Sequence, residues 1–120
     1  MLTLLIKKEW FEMIRSGEKK EEYREIKPYY ITRFIKWLGF PSSWARRYAK
    51  HPEEFEWFFK QLETEGTCKS FKKTIVFRNG YSHDAPALIC ECGLRIGFGR
   101  TELGAESDKK YFILEIKNIM

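Results

Sequence analysis

The sequence predicts an α+β fold: a β-barrel of about five to six strands, with a helix after the first strand and a helical insertion between the second and third strands. Hydrophobic periodicity runs in the order β-α-β, then helices, then three or four strands. The 120 residues are 43% hydrophobic and 32% charged, the composition of one globular domain with its own core. We therefore expect a single domain over residues 1–120, with residues 28–73 as a helical, aromatic-rich, basic insertion.

Three elements precede the insertion. Leu2 to Lys7 is an apolar run that predicts a short buried strand. Lys8 to Ser16 carries apolar side chains at helical spacing, and Gly17 stands where a helix C-cap glycine is expected. Lys20 to Ile26 alternates charged and bulky residues, which predicts a strand with one polar face.

The sequence of the insertion predicts three helices. Each has apolar residues at helical spacing, and proline, serine or glycine residues mark where the helices begin and end. The predicted helices run from Pro28 to Leu38, from a cap at Ser42 or Ser43 through Tyr48, and from Pro52 to an end at Gly66 and Thr67.

From Thr74 onward the pattern is that of strands again. Thr74 to Arg78 predicts a strand, which the turn dipeptide Asn79-Gly80 ends. Ala87 to Phe98 predicts one or two strands with an interruption at Gly93. A glycine-rich return containing Gly97, Gly99 and Gly104 then leads to a strong final strand from Lys110 to Ile119.

Positive charge and aromatic residues are concentrated in the insertion. The chain has a net charge of +5, and residues 28–73 hold nine Lys or Arg against five Glu. Eleven of the twenty aromatic residues lie between Tyr29 and Phe59. Two interpretations of these rings are open. If the rings are exposed, they could stack on RNA bases while the neighbouring cations bind phosphates. If they lie on one stripe at helical spacing, they form a small core. The spacing favours a core for Phe34, Phe55, Phe58 and Phe59, and leaves Trp44, beside Arg46 and Arg47, as an RNA-contact candidate.

A sequence motif lies at the end of the first helix. The stretch from Gly17 to Arg24 fits the pattern G-x-K-x-x-E-x-R at four positions: Gly17, Lys19, Glu22 and Arg24. In this motif, and in the later segments 77–82 and 97–99, the chain resembles the ASCH family. The resemblance covers roughly residues 1–38 and 74–119, and residues 39–73 are longer and more aromatic than in a minimal member.

The resemblance implies a PUA-like β-barrel with a cleft beside the motif, and a role in binding RNA or nucleotides. Some ASCH members resemble small amidohydrolases that act on acylated cytidine, and others are linked to RNA cleavage. In the amidohydrolase type the lysine of the motif is catalytic, which transfers to Lys19, and a threonine occupies the position of Glu22. The catalytic candidates are therefore Lys19 with Glu22 as its carboxylate partner.

The residues of the motif suit a binding site on physical grounds as well. Glu22 and Arg24 are two apart on a strand and so share a face, and Lys19 lies at the mouth of that strand. A lysine, a carboxylate and an arginine around one cleft could bind a phosphate, contact a base edge or run acid–base chemistry. The alternative is a solvated ladder of charges on an edge strand.

The polar loop after the third predicted strand adds binding candidates, because loops at barrel mouths often carry function. The expected ligand-binding residues are Gly17, Lys19, Glu22, Arg24, Arg78, Asn79 and Tyr81. Glu102 and Glu106 could add a second carboxylate.

We expect neither a cofactor nor a metal. Cys90 and Cys92 share a strand face, but with His83 and the distant Cys68 they do not make four zinc ligands at a familiar spacing. The apolar run at the start is too short for a signal peptide or a membrane span, so we expect a cytoplasmic protein with free thiols and no membrane partner.

Three functions remain open at this stage. The first is an RNA- or nucleotide-binding module with its ligand beside the motif. The second is a small hydrolase, either an amidohydrolase on acylated cytidine or a ribonuclease, that uses Lys19 with a carboxylate. The third is a protein-interaction module that uses the aromatic helices.

Overall fold

The structure, a computed structural model, describes residues 2–64 and 73–120. In this part of the chain five strands form one curled mixed sheet, a half-barrel, and four α-helices accompany it. The strands are β1 (Leu2–Leu5), β2 (Glu21–Glu25), β3 (Lys73–Arg78), β4 (Ala87–Phe98) and β5 (Lys110–Ile119). The helices are α1 (Lys8–Ser16), α2 (Pro28–Trp37), α3 (Ser42–Lys50) and α4 (Pro52–Thr64), and a 3₁₀ helix spans Thr101–Leu103.

The strand order in the sheet is β1-β3-β4-β5-β2. β1 pairs with β3 in parallel, and the other three neighbouring pairs are antiparallel. β1 and β2 are therefore the two edges. Nη2 of Arg24, on β2, donates a hydrogen bond of 2.9 Å to the carbonyl oxygen of Leu5 at the end of β1. A side chain thus bridges the open side of the half-barrel.

The α+β class, the five strands and the helical insertion between β2 and β3 are confirmed. α1 and β5 have the predicted bounds because each carries a clear hydrophobic period and a clear start. The sheet is a half-barrel rather than a closed barrel, since the described residues contain no backbone ladder between β1 and β2.

Two local predictions are wrong. Gly93 does not interrupt β4: it is buried in the middle of the sheet opposite Glu115, and the one irregularity of register lies between Glu91 and Cys92. Neither predicted serine caps α3, because Ser42 is already helical and Pro41 takes the N-cap position without a side-chain hydrogen bond. The helix end predicted at Gly66 and Thr67 lies outside the described residues.

The insertion packs its aromatic side chains onto the inner face of the sheet. Phe34 and Phe55 are fully buried, and their ring centroids lie 4.7 and 5.5 Å from that of Phe112 on β5. Phe59 is also fully buried and Phe58 is half-buried, so the core interpretation of these rings is confirmed. Trp44 stays 40% exposed, as expected for so short a helix.

β5 is buried on both faces over its first half. Phe112 and Leu114 belong to the main core, and Tyr111 and Ile113 belong to a smaller cluster with Ala105 on the opposite side. That second cluster brings the segment after β4 back against the sheet. None of the helices in the described residues combines the length and apolar character that crossing a membrane requires.

Candidate functional site

The motif begins with a sharp change of direction after α1. Gly17 adopts the left-handed conformation, with φ 86° and ψ 0°, and its N–H donates to the carbonyl of Ile14 at 3.1 Å. The N–H of Lys19 then donates to the carbonyl of Met13 at 2.9 Å. These two bonds hold Lys19 close to the end of α1, immediately before β2.

Three charged side chains meet at this point in a cluster formed by Lys19, Glu22 and Arg24. Nζ of Lys19 lies 3.4 Å from Oε1 of Glu22. Oε2 of Glu22 accepts hydrogen bonds from Nη2 and Nε of Arg24, at 2.6 and 3.1 Å. Lys19 is only 1% exposed, and the other two side chains are nearly as well buried. Such a cluster is a fixed, paired arrangement, in contrast to a solvated charge ladder.

Aromatic rings and backbone carbonyls complete the surroundings of the two cations. Nζ of Lys19 lies 4.7 Å from the ring of Trp10 and 4.9 Å from that of Tyr23, and it also donates to the carbonyl of Leu103. Nη1 of Arg24 donates to the hydroxyl of Tyr30 at 3.2 Å. The cations are therefore stabilised by ring faces as well as by Glu22.

Burial shifts the pKa values of this cluster. Desolvation lowers the pKa of Lys19 below its ordinary value, although Glu22 opposes the shift. Desolvation also works against the charge of Arg24, but Glu22 and Tyr30 outweigh it and raise the pKa of that guanidinium. Burial, together with Glu21 as hydrogen-bond acceptor, raises the pKa of Tyr23 to about 12. Lys19 is thus a lysine whose ammonium form is partly disfavoured.

A cleft of about 420 Å³ opens beside the cluster. Glu22 and Arg24 lie in its wall, and Lys19 lies directly behind them, in contact with the wall residues Trp10, Tyr23 and Leu103. The lining of the cleft includes four aromatic side chains and four cations, together with Glu22, Glu25 and Glu106. The rings are those of Trp10, Tyr23, Tyr30 and Tyr111, and the cations are those of Lys7, Arg24, Lys27 and Lys109.

The structure brings only part of the predicted set of binding residues together. Gly17 forms the turn but does not line the cleft. Asn79 and Tyr81 line a neighbouring depression of about 340 Å³, which shares Leu5, Ile6 and Lys7 with the cleft. Arg78 donates to the carbonyl of Ser82 at 2.7 Å and stabilises its own loop.

Of the two extra carboxylates, Glu106 lines the cleft and Glu102 does not. Glu106 lies 3.8 Å from Nζ of Lys109, whose other carboxylate neighbour is Glu25 at 3.6 Å. Glu102 lies 3.9 Å from Arg100 on the exposed 3₁₀ segment. The positive charge of Lys109 therefore offsets the carboxylates of Glu25 and Glu106 in the wall of the cleft.

The two described cysteine candidates and His83 lie in different surroundings. Cys90 and Cys92 are fully buried in the sheet, which raises the pKa of their thiols to about 11 and about 12, whereas His83 is exposed in the loop after β3. Over residues 2–64 and 73–120, no three His, Cys, Asp or Glu side chains form a group that could hold a metal ion. Cys68 lies outside the described residues.

Sequence reasoning missed several residues of the cleft. Trp10 lies within the first predicted helix and Tyr111 within the final predicted strand, but neither of them, nor Lys27 or Lys109, is predicted from the sequence as a site residue. These residues come from separate elements, so no local spacing connects them. Tyr23 and Tyr111, whose rings lie 5.8 Å apart, come together only through the pairing of β2 with β5.

No family model, no curated protein and no solved structure matches this chain. The resemblance to the ASCH family therefore stays a prediction, carried by the motif residues Gly17, Lys19, Glu22 and Arg24.

Proposed function

We propose that the protein binds a nucleotide, free or within RNA, in the cleft beside the Lys19–Glu22–Arg24 cluster. The observation that carries the proposal is the presence of four aromatic rings and four cations in the lining of a cleft of about 420 Å³. Pockets for small ligands commonly have volumes of about 300–1,000 Å³, and a nucleotide offers both a flat base and an anionic phosphate. The aromatic rings suit the base, and the cations suit the phosphate.

The cations of the cleft divide into two groups. Arg24 is occupied, because its guanidinium already binds Glu22, Tyr30 and the carbonyl of Leu5. Lys7 and Lys27 are exposed at the rim. We assign phosphate binding to these rim lysines, whose ammonium groups can follow a ligand, and a positioning role to Arg24.

The base would be held by the rings of the cleft. Tyr30 is half-buried and its hydroxyl is fixed by Arg24, so its ring has a defined orientation. A base stacked on an aromatic side chain gains about 1–3 kcal/mol. The finer identity of the fold, a PUA-like barrel of the ASCH family, belongs to this proposal too, since a curled sheet with the motif beside a cleft is what that family leads us to expect.

The test is a titration of the four ribonucleoside 5′-monophosphates, followed by calorimetry or by NMR shifts. Lys27→Glu should weaken binding about tenfold or more, because it places a carboxylate beside the phosphate. Lys60→Glu is the matched control: it makes the same change of net charge on α4, away from the cleft, and should leave affinity unchanged. Equal effects of the two variants, or no binding by any nucleotide, would contradict the proposal.

One observation favours hydrolysis as a second function. Lys19 has a lowered pKa, is 1% exposed and lies 3.4 Å from a carboxylate. A buried amine with a lowered pKa loses its proton more readily than an ordinary lysine, and the free amine can act as a base or a nucleophile. Because Nζ of Lys19 also donates to the carbonyl of Leu103, a substrate would have to reach it by displacing the 3₁₀ segment.

The hydrolase candidate predicts deacylation of N-acetylated cytidine, or cleavage of RNA, without added metal. Lys19→Met should abolish turnover and keep the circular dichroism spectrum of the folded protein. Turnover that persists in Lys19→Met would exclude Lys19 as the catalytic group, while leaving the nucleotide-binding proposal to its own titration.

A further inference from the structure

We propose that the ligand is a single strand of more than one nucleotide, which leaves the cleft across Leu5 and continues over Tyr29 and Tyr81. This inference rests on the proposed nucleotide-binding function and extends it to a class of ligand. We call the area formed by Leu5, Tyr29, Tyr30 and Tyr81, with Lys7 and Lys27 beside it, the tyrosine surface.

The first argument is continuity. Two further depressions, of about 420 and about 340 Å³, adjoin the cleft. Leu5 lines all three, and Tyr81 lines both outer ones. Arg24, Lys27 and Tyr30 line both the cleft and the larger outer depression. A ligand that fills the cleft can therefore extend into either neighbour without crossing a ridge of buried core.

The second argument is the exposure of the rings. Tyr81 is 92% exposed and Tyr29 is 52% exposed, whereas the tyrosines inside the cleft are half-buried or buried. The guanidinium of Arg33 lies 3.4 Å from the ring centre of Tyr29, which covers part of that ring and adds a cation beside it. Exposed rings next to cations are the features on which successive bases of a single strand stack while the backbone is neutralised.

The third argument is the sign of the charge. Among the described residues, none that lines the two outer depressions is an Asp or a Glu, while Lys7, Arg24 and Lys27 all belong to them. The cleft itself has Glu22, Glu25 and Glu106 in its wall. Repulsion of an anion thus decreases outward from the cleft, which suits a ligand that carries one phosphate per unit along its length.

Size sets the expected length of the strand. Each depression has the volume of a small-ligand pocket, and one nucleotide occupies one such pocket. The cleft and the two outer depressions together would accommodate about three nucleotides. Affinity should therefore rise with length over about the first three units and then level off.

The experiment compares uridine 5′-monophosphate with oligouridylates of two, three, four and six nucleotides, by competition against a fluorescent oligouridylate. We expect affinity to increase about fivefold or more with each added nucleotide up to three, the lower end of what stacking one base contributes. The dependence on salt should become steeper along the same series, because each added phosphate releases counterions. An oligothymidylate series distinguishes RNA from DNA as the source of the strand, and length dependence in either supports the proposal.

Ring deletion then locates the added nucleotides. Tyr29→Ala and Tyr81→Ala should each lower the affinity for the trinucleotide about fivefold or more and leave the affinity for the monophosphate unchanged. Tyr81→Phe keeps the aromatic ring and should bind the trinucleotide with the affinity of the parent protein. Trp57→Ala is the matched control, since Trp57 is 67% exposed on α4 and lines a separate depression with Arg47 and Tyr48.

The outcomes separate this inference from the proposed function. Tight binding of the monophosphate with no gain from added nucleotides would overturn the tyrosine surface and leave nucleotide binding standing. Loss of trinucleotide affinity in Trp57→Ala but not in Tyr29→Ala or Tyr81→Ala would also overturn it, in favour of the insertion. Absence of binding by every probe would overturn the proposed function and this inference together.

Discussion

At the scale of single residues, the distinctive feature is a buried lysine whose positive charge is only partly neutralised by its carboxylate partner. Lys19 has one carboxylate partner, Glu22, and Glu22 is shared with Arg24. Two cations and one carboxylate thus occupy a nearly solvent-free site, in which ring faces and carbonyl oxygens supply the remaining negative potential. Burial of the ammonium group lowers the pKa of Lys19 below its ordinary value, and Glu22 opposes this shift.

This burial predicts how stability depends on pH. The pKa of Lys19 is lowered in the folded protein, so the unfolded chain holds more protons than the folded one at pH values just below 10.5. The stability that the buried ammonium removes at neutral pH is therefore regained as the pH rises towards 10.5. Lys19→Met has no such group, so the free energy of unfolding of the parent, relative to Lys19→Met, should increase as the pH rises towards 10.5.

Urea titrations of both proteins at several pH values measure that difference. Tyr23, Cys90 and Cys92 have raised pKa values, which remove stability above about pH 9, but they are present in both proteins and cancel. A difference that stays constant or falls with pH would mean that Lys19 keeps an ordinary pKa despite its burial.

At the scale of elements, the sequence predicted the features that depend on a local pattern. The prediction was wrong where a neighbouring strand in the sheet determines the structure. α1 and β5 were predicted to the residue, because their periodicity and end signals lie within the segment. β4 was expected to break at Gly93, since glycine weakens an isolated strand. In the sheet Gly93 pairs with Glu115 of β5, and this ladder carries β4 through that position.

The candidate site follows the same division. The motif predicted that Lys19, Glu22 and Arg24 would lie together, because all three are within eight residues of one turn and one strand. It could not predict the opposite wall, where Tyr111 and Lys109 arrive from the other end of the chain. Their position is set by the pairing of β5 with β2, which no local spacing encodes.

The turn between α1 and β2 gives a prediction at this scale. Gly17 has φ 86°, and a Cβ built there meets no atom within 4 Å, so a side chain would cost backbone strain and nothing else. Gly17→Ala should lower the free energy of unfolding by about 1 kcal/mol, and Gly17→Asn by less, because asparagine tolerates the left-handed conformation. Denaturant titrations of both variants measure the order. A larger loss for Asn than for Ala would show that the space around Gly17 is filled.

At the scale of the whole molecule, the half-barrel depends on a side chain on its open side. Arg24 joins β2 to the end of β1 through a hydrogen bond to the carbonyl of Leu5. This bond satisfies a backbone group at the edge of the sheet. The same two edges border the cleft, so the stability of the open side and the shape of the site are linked.

Arg24→Met should therefore loosen one side of the molecule more than the other. We expect a loss of roughly 3 kcal/mol, the range for breaking a buried charge pair, with faster amide exchange in β1 and β2 and little change in the middle of β4. Hydrogen–deuterium exchange followed by mass spectrometry resolves these strands. Arg95→Met is the control: Arg95 pairs with Glu21 at 2.8 Å on a more exposed face, and its loss should cost about 1 kcal/mol or less. Uniform acceleration across all strands would contradict a role confined to the open side.

The order of strands in the sheet also determines when the molecule can assemble during synthesis. Among the described residues β2 pairs with β5 alone, and Glu21 and its partner Glu115 are 94 residues apart in the chain (115 minus 21). β1 likewise waits for β3, since Leu2 pairs with Ile75. A chain emerging from the ribosome can form α1 early, but neither edge strand has a partner until much later. Contacts of such long range slow folding, so in the nascent chain β1 stays unpaired until β3 is released, and β2 stays unpaired, with the residues of the future cleft apart, until β5 is released.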